Sequence, residues 1–346
     1  MSTDQQHTES APATPGTPAV SASAASTAPT NSRSATSAQT GAAHFEVTPG
    51  EKEIAVTAAG TEILRYVTHP DSPQEEAPKP YLYPLRFLDG GEASVRRPWD
   101  HRWHTGLQFT WSHVADQNFW GGPTFAAEDG YKMRGNLGRM NHTGFSTQPS
   151  GGDEVSFNET LEWITSRGEH WFDEHRVQRV HSLDPARGIW AIDLTTELTN
   201  VSTGTLPLGS PTTAGRPNAG YTGWFWRGPR SWSGCQVVNS NGAEGEENTM
   251  GQVADWVAFS SEHDDLDGGG TIMAFAGTSE CAGTQLPPIK WFTRTSIFAV
   301  ASQSPAFDEE IQLQAGATLR LHHRFVFIAR VLTSQERNQI GQEFAL

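Results

Sequence analysis

Apolar residues recur at every second position through several stretches of this chain, a period that predicts strands rather than helices. Val155, Phe157, Leu161 and Trp163 share one phase; so do Trp190, Ile192, Leu194 and Leu198, and again Leu319, Leu321, Phe325 and Phe327. Each stretch reads as a half-buried strand with one face on a core. Gly, Pro, Asn and Asp separate them, as turns require. Helical periodicity is nearly absent. Only TSQERNQIGQEF, from Thr333 with Ser334 and Glu336 onward, has the form of a capped terminal helix or turn. Many strands without helices between them imply antiparallel pairing. A propeller would show a blade repeat, and none of its signatures is visible. The expected fold is therefore all-β, a large antiparallel β-sandwich over residues 44–346. Residues 1–43 are almost entirely Ser, Thr, Ala, Pro, Gly and Gln, with no aromatic side chain. Such a segment cannot bury enough apolar surface to offset its conformational entropy, and it is expected to be a disordered tail.

Ionisable residues in phase with an apolar face are informative, because an inward charge is costly unless it is paired or used. Glu159 shares the phase of Phe157 and Leu161, His323 that of Leu321 and Phe325, and Arg294 that of Phe292 and Phe298. They are expected either to be satisfied internally, Glu159 and Arg294 as partners of each other, or to line a polar cleft. In RRPWDHRWHTGLQFTW, residues 96–111, His101 and His104 fall on one side only if Pro98 and Asp100 make a turn. Leu107, Phe109 and Trp111 then alternate as a strand, which leaves Gln108 and Thr110 on the face of His104. The tripeptide His-Thr-Gly returns at His142, after the glycine-rich loops NFWGGPTF and RGNLGRMN. The loop GRPNAGYTGWFWRGP carries Arg216, Asn218, Tyr221, Trp224, Trp226 and Arg227. Aromatic rings interleaved with hydrogen-bonding side chains suit a sugar, whose CH faces stack on rings while its hydroxyls need donors and acceptors.

Charge and cysteine content narrow the classes. Lys and Arg number 24 against 39 Asp and Glu, a formal charge of −15. That balance argues against a nucleic-acid backbone or an anionic membrane as partner. No apolar run approaches the ~20 residues of a membrane helix. The two cysteines, Cys235 and Cys281, are too few for a disulfide scaffold or a four-sulfur metal site and are expected as free, buried or half-buried thiols. The first residues lack the basic and apolar regions of a secretory signal, so the expected location is cytoplasmic.

The segments KPYLYPLR (79–86), RPWDHRWHTGL (97–107), NFWGGPTF (118–125), GYTGWFWRGP (220–229) and WFTRTSIFAV (291–300), in this order, resemble a bacterial family labelled PmoA-like, or methane oxygenase PmoA. The resemblance spans essentially everything after the tail. Members of that family accompany sugar-catabolic genes and dehydrogenases of the glucose-fructose oxidoreductase type, which implies carbohydrate work. The stretch TELTNVSTGTLPLGS (196–210) is similar in style to galactose-mutarotase-like sandwiches, the supersandwich class. In those enzymes a His protonates the ring oxygen and a Glu removes the anomeric proton. Here the corresponding stretch carries Arg216, Asn218 and Tyr221 in place of a His, so analogous chemistry would take its acid from His101 or His104 and its base from Glu159.

Three functions follow as expectations. The first is an enzyme acting on a sugar or sugar derivative by proton transfer, without a cofactor, with Glu159 as the base and His101 and His104 as the acid and orienting groups. His142, Arg216, Asn218, Tyr221, Arg227, Arg294 and His323 would bind substrate. The second is a non-catalytic sugar-binding or sensing module using the same cleft. The third is a metal-dependent enzyme, an oxygenase as the family label says, with His101, His104 and His142 as ligands; two histidines alone are a weak signal.

Overall fold

The computed structural model describes residues 43–346; the expectation of a disordered tail falls outside the described residues, apart from its last position. Two large sheets dominate. One has eight strands in the order Phe45–Pro49, Glu53–Ala58, Thr61–Val67, Tyr81–Leu85, Leu107–Thr110, Gly223–Arg227, Val300–Ser304 and Lys290–Arg294. The nine-stranded sheet runs Gln236–Asn239, Trp256–Glu262, Gly269–Cys281, Thr318–Ile328, Ile189–Asn200, His170–Asp184, Val155–Ile164 and Arg139–Thr147, with the short Thr284–Gln285 paired to Gly269–Cys281. The ladders of both sheets are antiparallel. The all-β sandwich expected from the period-two pattern is present.

The inner faces meet through aromatic side chains. Phe109 and Trp163 lie 5.8 Å apart between ring centroids, and Trp226 and Phe259 5.3 Å. All three stretches read from the sequence are strands of the nine-stranded sheet, and their in-phase residues are buried in this core. The terminal helix is Ser334–Glu343, and its capping box is the one the sequence implies: Thr333 Oγ1 accepts from the Glu336 amide, while Glu336 accepts from the Thr333 amide. Ile340 and Phe344 pack it onto the outer face of the nine-stranded sheet beside Val326 and Ile328. No helix among the described residues is long and apolar enough to cross a membrane. Cys235 and Cys281 are both free and half-buried, and burial pushes the Cys235 thiol up to about 12.

The sandwich interior also holds charge. Arg176 is fully buried and donates to both Glu174 oxygens, Nε to Oε1 at 2.7 Å and Nη2 to Oε2 at 2.9 Å. Trp163 Nε1 donates to Glu174 at 2.8 Å, and the guanidinium stands 5.3 Å from the Trp224 ring and 5.6 Å from Phe109. Glu159 belongs to the same interior: it accepts from the Tyr66 hydroxyl and from Gln178 Nε2 at 3.3 Å, and pairs with His142 Nδ1 at 2.6 Å.

His323 is different, because both of its ring nitrogens are buried without a hydrogen-bond partner among the described residues. Burial, with His322 adding to it, pulls its pKa down to about 3. Between that value and the ~6.5 of an unfolded histidine, the unfolded chain binds the extra proton, so stability falls as pH falls. By pH 5 this one group is expected to remove about 2 kcal/mol. Urea midpoints at pH 7 and pH 5 check it: His323→Leu should lose less stability than wild type over that interval, and an equal loss would refute the assignment.

Candidate functional site

The chemistry-bearing side chains gather on the outer face of the eight-stranded sheet. Along Gly223–Arg227 the residues alternate: Trp224 and Trp226 point into the sandwich core, while Phe225 and Arg227 face outward. In the neighbouring strands Phe225 lies opposite Gln108 and Ser302, and Arg227 opposite Val300, so these share its face. Above this floor lies a cleft of about 480 Å³, lined chiefly by Asp100, His101, Trp103, His104, Trp120, Tyr131, Arg216, Tyr221 and Arg294. Trp99 and Ile297 stand at its rim, 78% and 60% exposed.

Local structure explains how the two histidines arrive together. Pro98 begins a turn in which the His101 amide donates to the Pro98 carbonyl and the His104 amide to the His101 carbonyl. The two rings consequently stack, with centroids 4.7 Å apart and planes 21° apart. Arg97, at φ 50°, anchors the turn by two parallel hydrogen bonds donated to Glu76, Nε to Oε2 at 2.8 Å and Nη2 to Oε1 at 2.6 Å. Buried Lys79 sends its three N–H bonds to the carbonyls of Glu76, Ala77 and Trp120 at 3.1, 2.8 and 2.9 Å, which ties the Trp120 wall to the same anchor. Burial pulls the Lys79 amine down to about 7, yet three carbonyl acceptors are fully satisfied only by the ammonium form. Gly121 and Gly122 both have positive φ, and a Cβ on either would lie 2.6 Å from Trp103, so the NFWGG loop needs glycine to pass under that indole.

The electrostatics assign protonation states. Arg227 is 1% exposed, with Nη1 3.1 Å from His104 Nδ1 and its guanidinium 3.6 Å from the Phe298 ring centroid. A guanidinium only donates, so His104 accepts at Nδ1 and carries its proton on Nε2. Burial, reinforced by His101, Arg227 and Lys79, holds the His104 pKa well below the ordinary value and keeps the ring neutral. Arg227 is itself lowered to about 10 by burial, with Asp100 opposing, and stays charged at neutral pH. Asp100 resists burial because Arg227 and His101 favour its ionised form, and its pKa is below normal. Its Oδ2 lies 3.3 Å from His101 Nδ1, 3.6 Å from Arg227 Nη2 and 3.7 Å from Arg230 Nη1. Burial lowers the His101 pKa against the pull of Asp100.

Of the residues singled out in the sequence, His101, His104, Arg216, Tyr221 and Arg294 line the cleft, and Arg227 lies beneath it. The rest do not assemble there. Glu159 sits between the sheets with Tyr66 and His142, so the expected pairing of Glu159 with His101 or His104 is not formed. Its partner is not Arg294 either, which donates to Glu246 Oε1 at 3.2 Å. His323 is in the core, and Asn218 is an exposed turn residue with φ 51°. Trp224 and Trp226 fill the core rather than a binding loop. The physical reason is common to Glu159 and His323: a period of two says that a side chain points inward, and in the nine-stranded sheet inward is the sandwich interior. The three-histidine metal set is also not assembled, since His142 packs with Glu159 and His69. Among the described residues no three His, Cys, Asp or Glu side chains converge as ligands. His104 Nδ1 is engaged by a guanidinium, a poor neighbour for a metal ion. Sequence reasoning missed Asp100, Trp99, Trp103, Trp120, Tyr131 and Arg230 as cleft residues, although Trp99, Asp100, Trp103 and Trp120 lie inside segments already marked as unusual.

Fold and site together define an all-β sandwich with an arginine-rich aromatic cleft on the outside of one sheet. The chain belongs to the Family of unknown function (DUF6807), whose match covers residues 53–341. No curated protein sequence matches it. Among solved structures it is similar to a protein of Escherichia coli K12 provisionally described as an aldose 1-epimerase, at 12% identity and a TM-score of 0.37, covering 83% of this chain and 99% of that one. That likeness is too distant to carry any chemistry across.

Proposed function

We propose that this protein is a carbohydrate-handling enzyme that moves a proton on a sugar derivative held in the cleft, with His101 as the proton carrier. The observation that carries this reading is the Asp100–His101 pair at the base of a cleft walled by Trp103, Trp120, Tyr221 and Phe298. Asp100 lies 3.3 Å from Nδ1 as an ion-pair contact without a hydrogen bond, and its negative charge favours the proton on that nitrogen, which leaves Nε2 of the neutral ring as the acceptor. Neutral His104 contributes a fixed Nε2–H donor for a sugar oxygen. The aromatic walls suit the CH faces of a pyranose. A second reading, a binding module using the same cleft, is favoured by the position of Glu159, which is buried with Tyr66 and His142 and adds no second acid or base to the Asp100–His101 pair.

Incubating the protein with aldoses and their oxidised derivatives in D2O, with exchange at carbon and anomer interconversion followed by NMR, tests both readings. Saturable acceleration with one sugar class is the expected result. Saturable binding with no exchange would favour the binding module, and no binding by any sugar would overturn both.

A further inference from the structure

The chain carries −15 overall, yet four guanidinium groups, from Arg216, Arg227, Arg230 and Arg294, surround the cleft against the carboxylates of Asp100 and Glu246. Their charges are not equally engaged. Arg294 is matched by Glu246, which also accepts from the Thr295 and Ser296 amides at 2.8 and 2.9 Å. Arg227 and Arg230 share the single carboxylate of Asp100. Arg216 makes no ion pair among the described residues. It is positioned instead by aromatic groups: Nη1 donates to the Tyr131 hydroxyl, the guanidinium lies 4.9 Å from the Tyr131 ring centroid, and the Tyr131 hydroxyl is 2.8 Å from that of Tyr221. Tyr131 comes from the two-stranded ribbon Thr124–Ala126 and Gly130–Lys132, and Tyr221 from the loop before Gly223–Arg227. The fork is thus held in place on the cleft wall by Tyr131 with Tyr221 also against it, and neither of these neutral hydroxyls neutralises the guanidinium charge. A planar guanidinium whose charge no carboxylate matches has the geometry to take two oxyanion oxygens side by side. Deeper down, buried Arg227 adds a charge whose Nε is also without a partner.

We infer that the ligand of this cleft is an acidic sugar derivative whose oxyanion, a carboxylate or a phosphate, is gripped by Arg216 on the Tyr131–Tyr221 wall. The inference rests on the carbohydrate reading above and adds its substrate class. A neutral sugar gives the Arg216 fork only hydroxyl oxygens, whereas an anion takes two charge-assisted bonds and balances the excess of cations.

The test is a calorimetric titration of the full chain with a hexose, the matching uronic and aldonic acids, the hexose 6-phosphate, and acetate and inorganic phosphate alone. It is repeated on Arg216→Met and Tyr131→Phe, with melting temperatures as the folding control. Charge-assisted bonds predict that the acid form binds at least about tenfold tighter than the hexose. Arg216→Met should remove roughly 10–100-fold of the acid's affinity and a much smaller factor of the hexose's, which loses only neutral hydrogen bonds. A preference for the uronic or aldonic acid over the 6-phosphate assigns a carboxylate, and the reverse a phosphate. Equal affinity for hexose and acids, or an Arg216→Met loss equal for both, overturns the inference and leaves the carbohydrate reading intact. Binding of acetate or phosphate that Arg216→Met abolishes, with no sugar bound, upholds the anion site and removes the carbohydrate reading.

Discussion

Replacing Arg176 with methionine is expected to cost about 3–5 kcal/mol of folding stability, because it strips the counter-charge from carboxylates that have no route to water. Glu174 is 1% exposed and Glu159 fully buried. Burial opposes the Arg176 charge, yet Glu174, Tyr66 and Glu159 outweigh it and raise its pKa. Met fills much of the aliphatic volume between Phe109 and Trp224, so the loss reports charge more than cavity. Glu174→Gln combined with Arg176→Met should recover a substantial part, since a missing partner is worse than a missing pair. Denaturant unfolding of the wild type and the two variants checks this, and an unchanged midpoint in Arg176→Met would refute the charge account. The network joins Tyr66 of one sheet to Glu159 of the other, so the polar interior helps fix how the two sheets face each other.

That interior also shows where sequence reading stops. Val155, Phe157, Leu161 and Trp163 announce a strand because a pleat alternates its side chains, and Glu159 in their phase had to point inward. Whether inward meant a cleft or a core depended on which sheet the strand joined and what covered it, and no local pattern records either. The His101 and His104 turn was legible because Pro98 and Asp100 act within a few residues. Asp100, Trp120 and Tyr131 were not, since loop residues have no period and acquire meaning only when separate segments, from Trp99 to Val300, close around one space. Trp224 and Tyr221 came from one aromatic-rich loop and part company because Gly223, at φ 78°, begins the strand between them. The fold was legible from periodicity; half of the site was legible from turns and aromatic loops.

Replacing His101 with asparagine is expected to lower kcat by about 10²–10⁴ on the sugar derivative that the cleft accepts, with little change in binding. The asparagine keeps a polar group near Asp100 and removes only the ability to take up a proton. Asp100→Asn should act in the same direction, because it removes the negative charge 3.3 Å from Nδ1 that favours a proton on that nitrogen. It also takes the shared carboxylate from Arg227 and Arg230, so its KM should change as well, a split that separates the two roles. The pH profile gives an independent reading. A base must be neutral to act, so kcat/KM should fall as pH drops through the His101 pKa, and burial places that pKa below 6.5. Neutral His104, whose Nδ1 is held by Arg227, should contribute no further limb above that point. Full turnover in His101→Asn would remove the proton-transfer assignment, while a loss confined to binding would return the cleft to the role of a sugar-binding module.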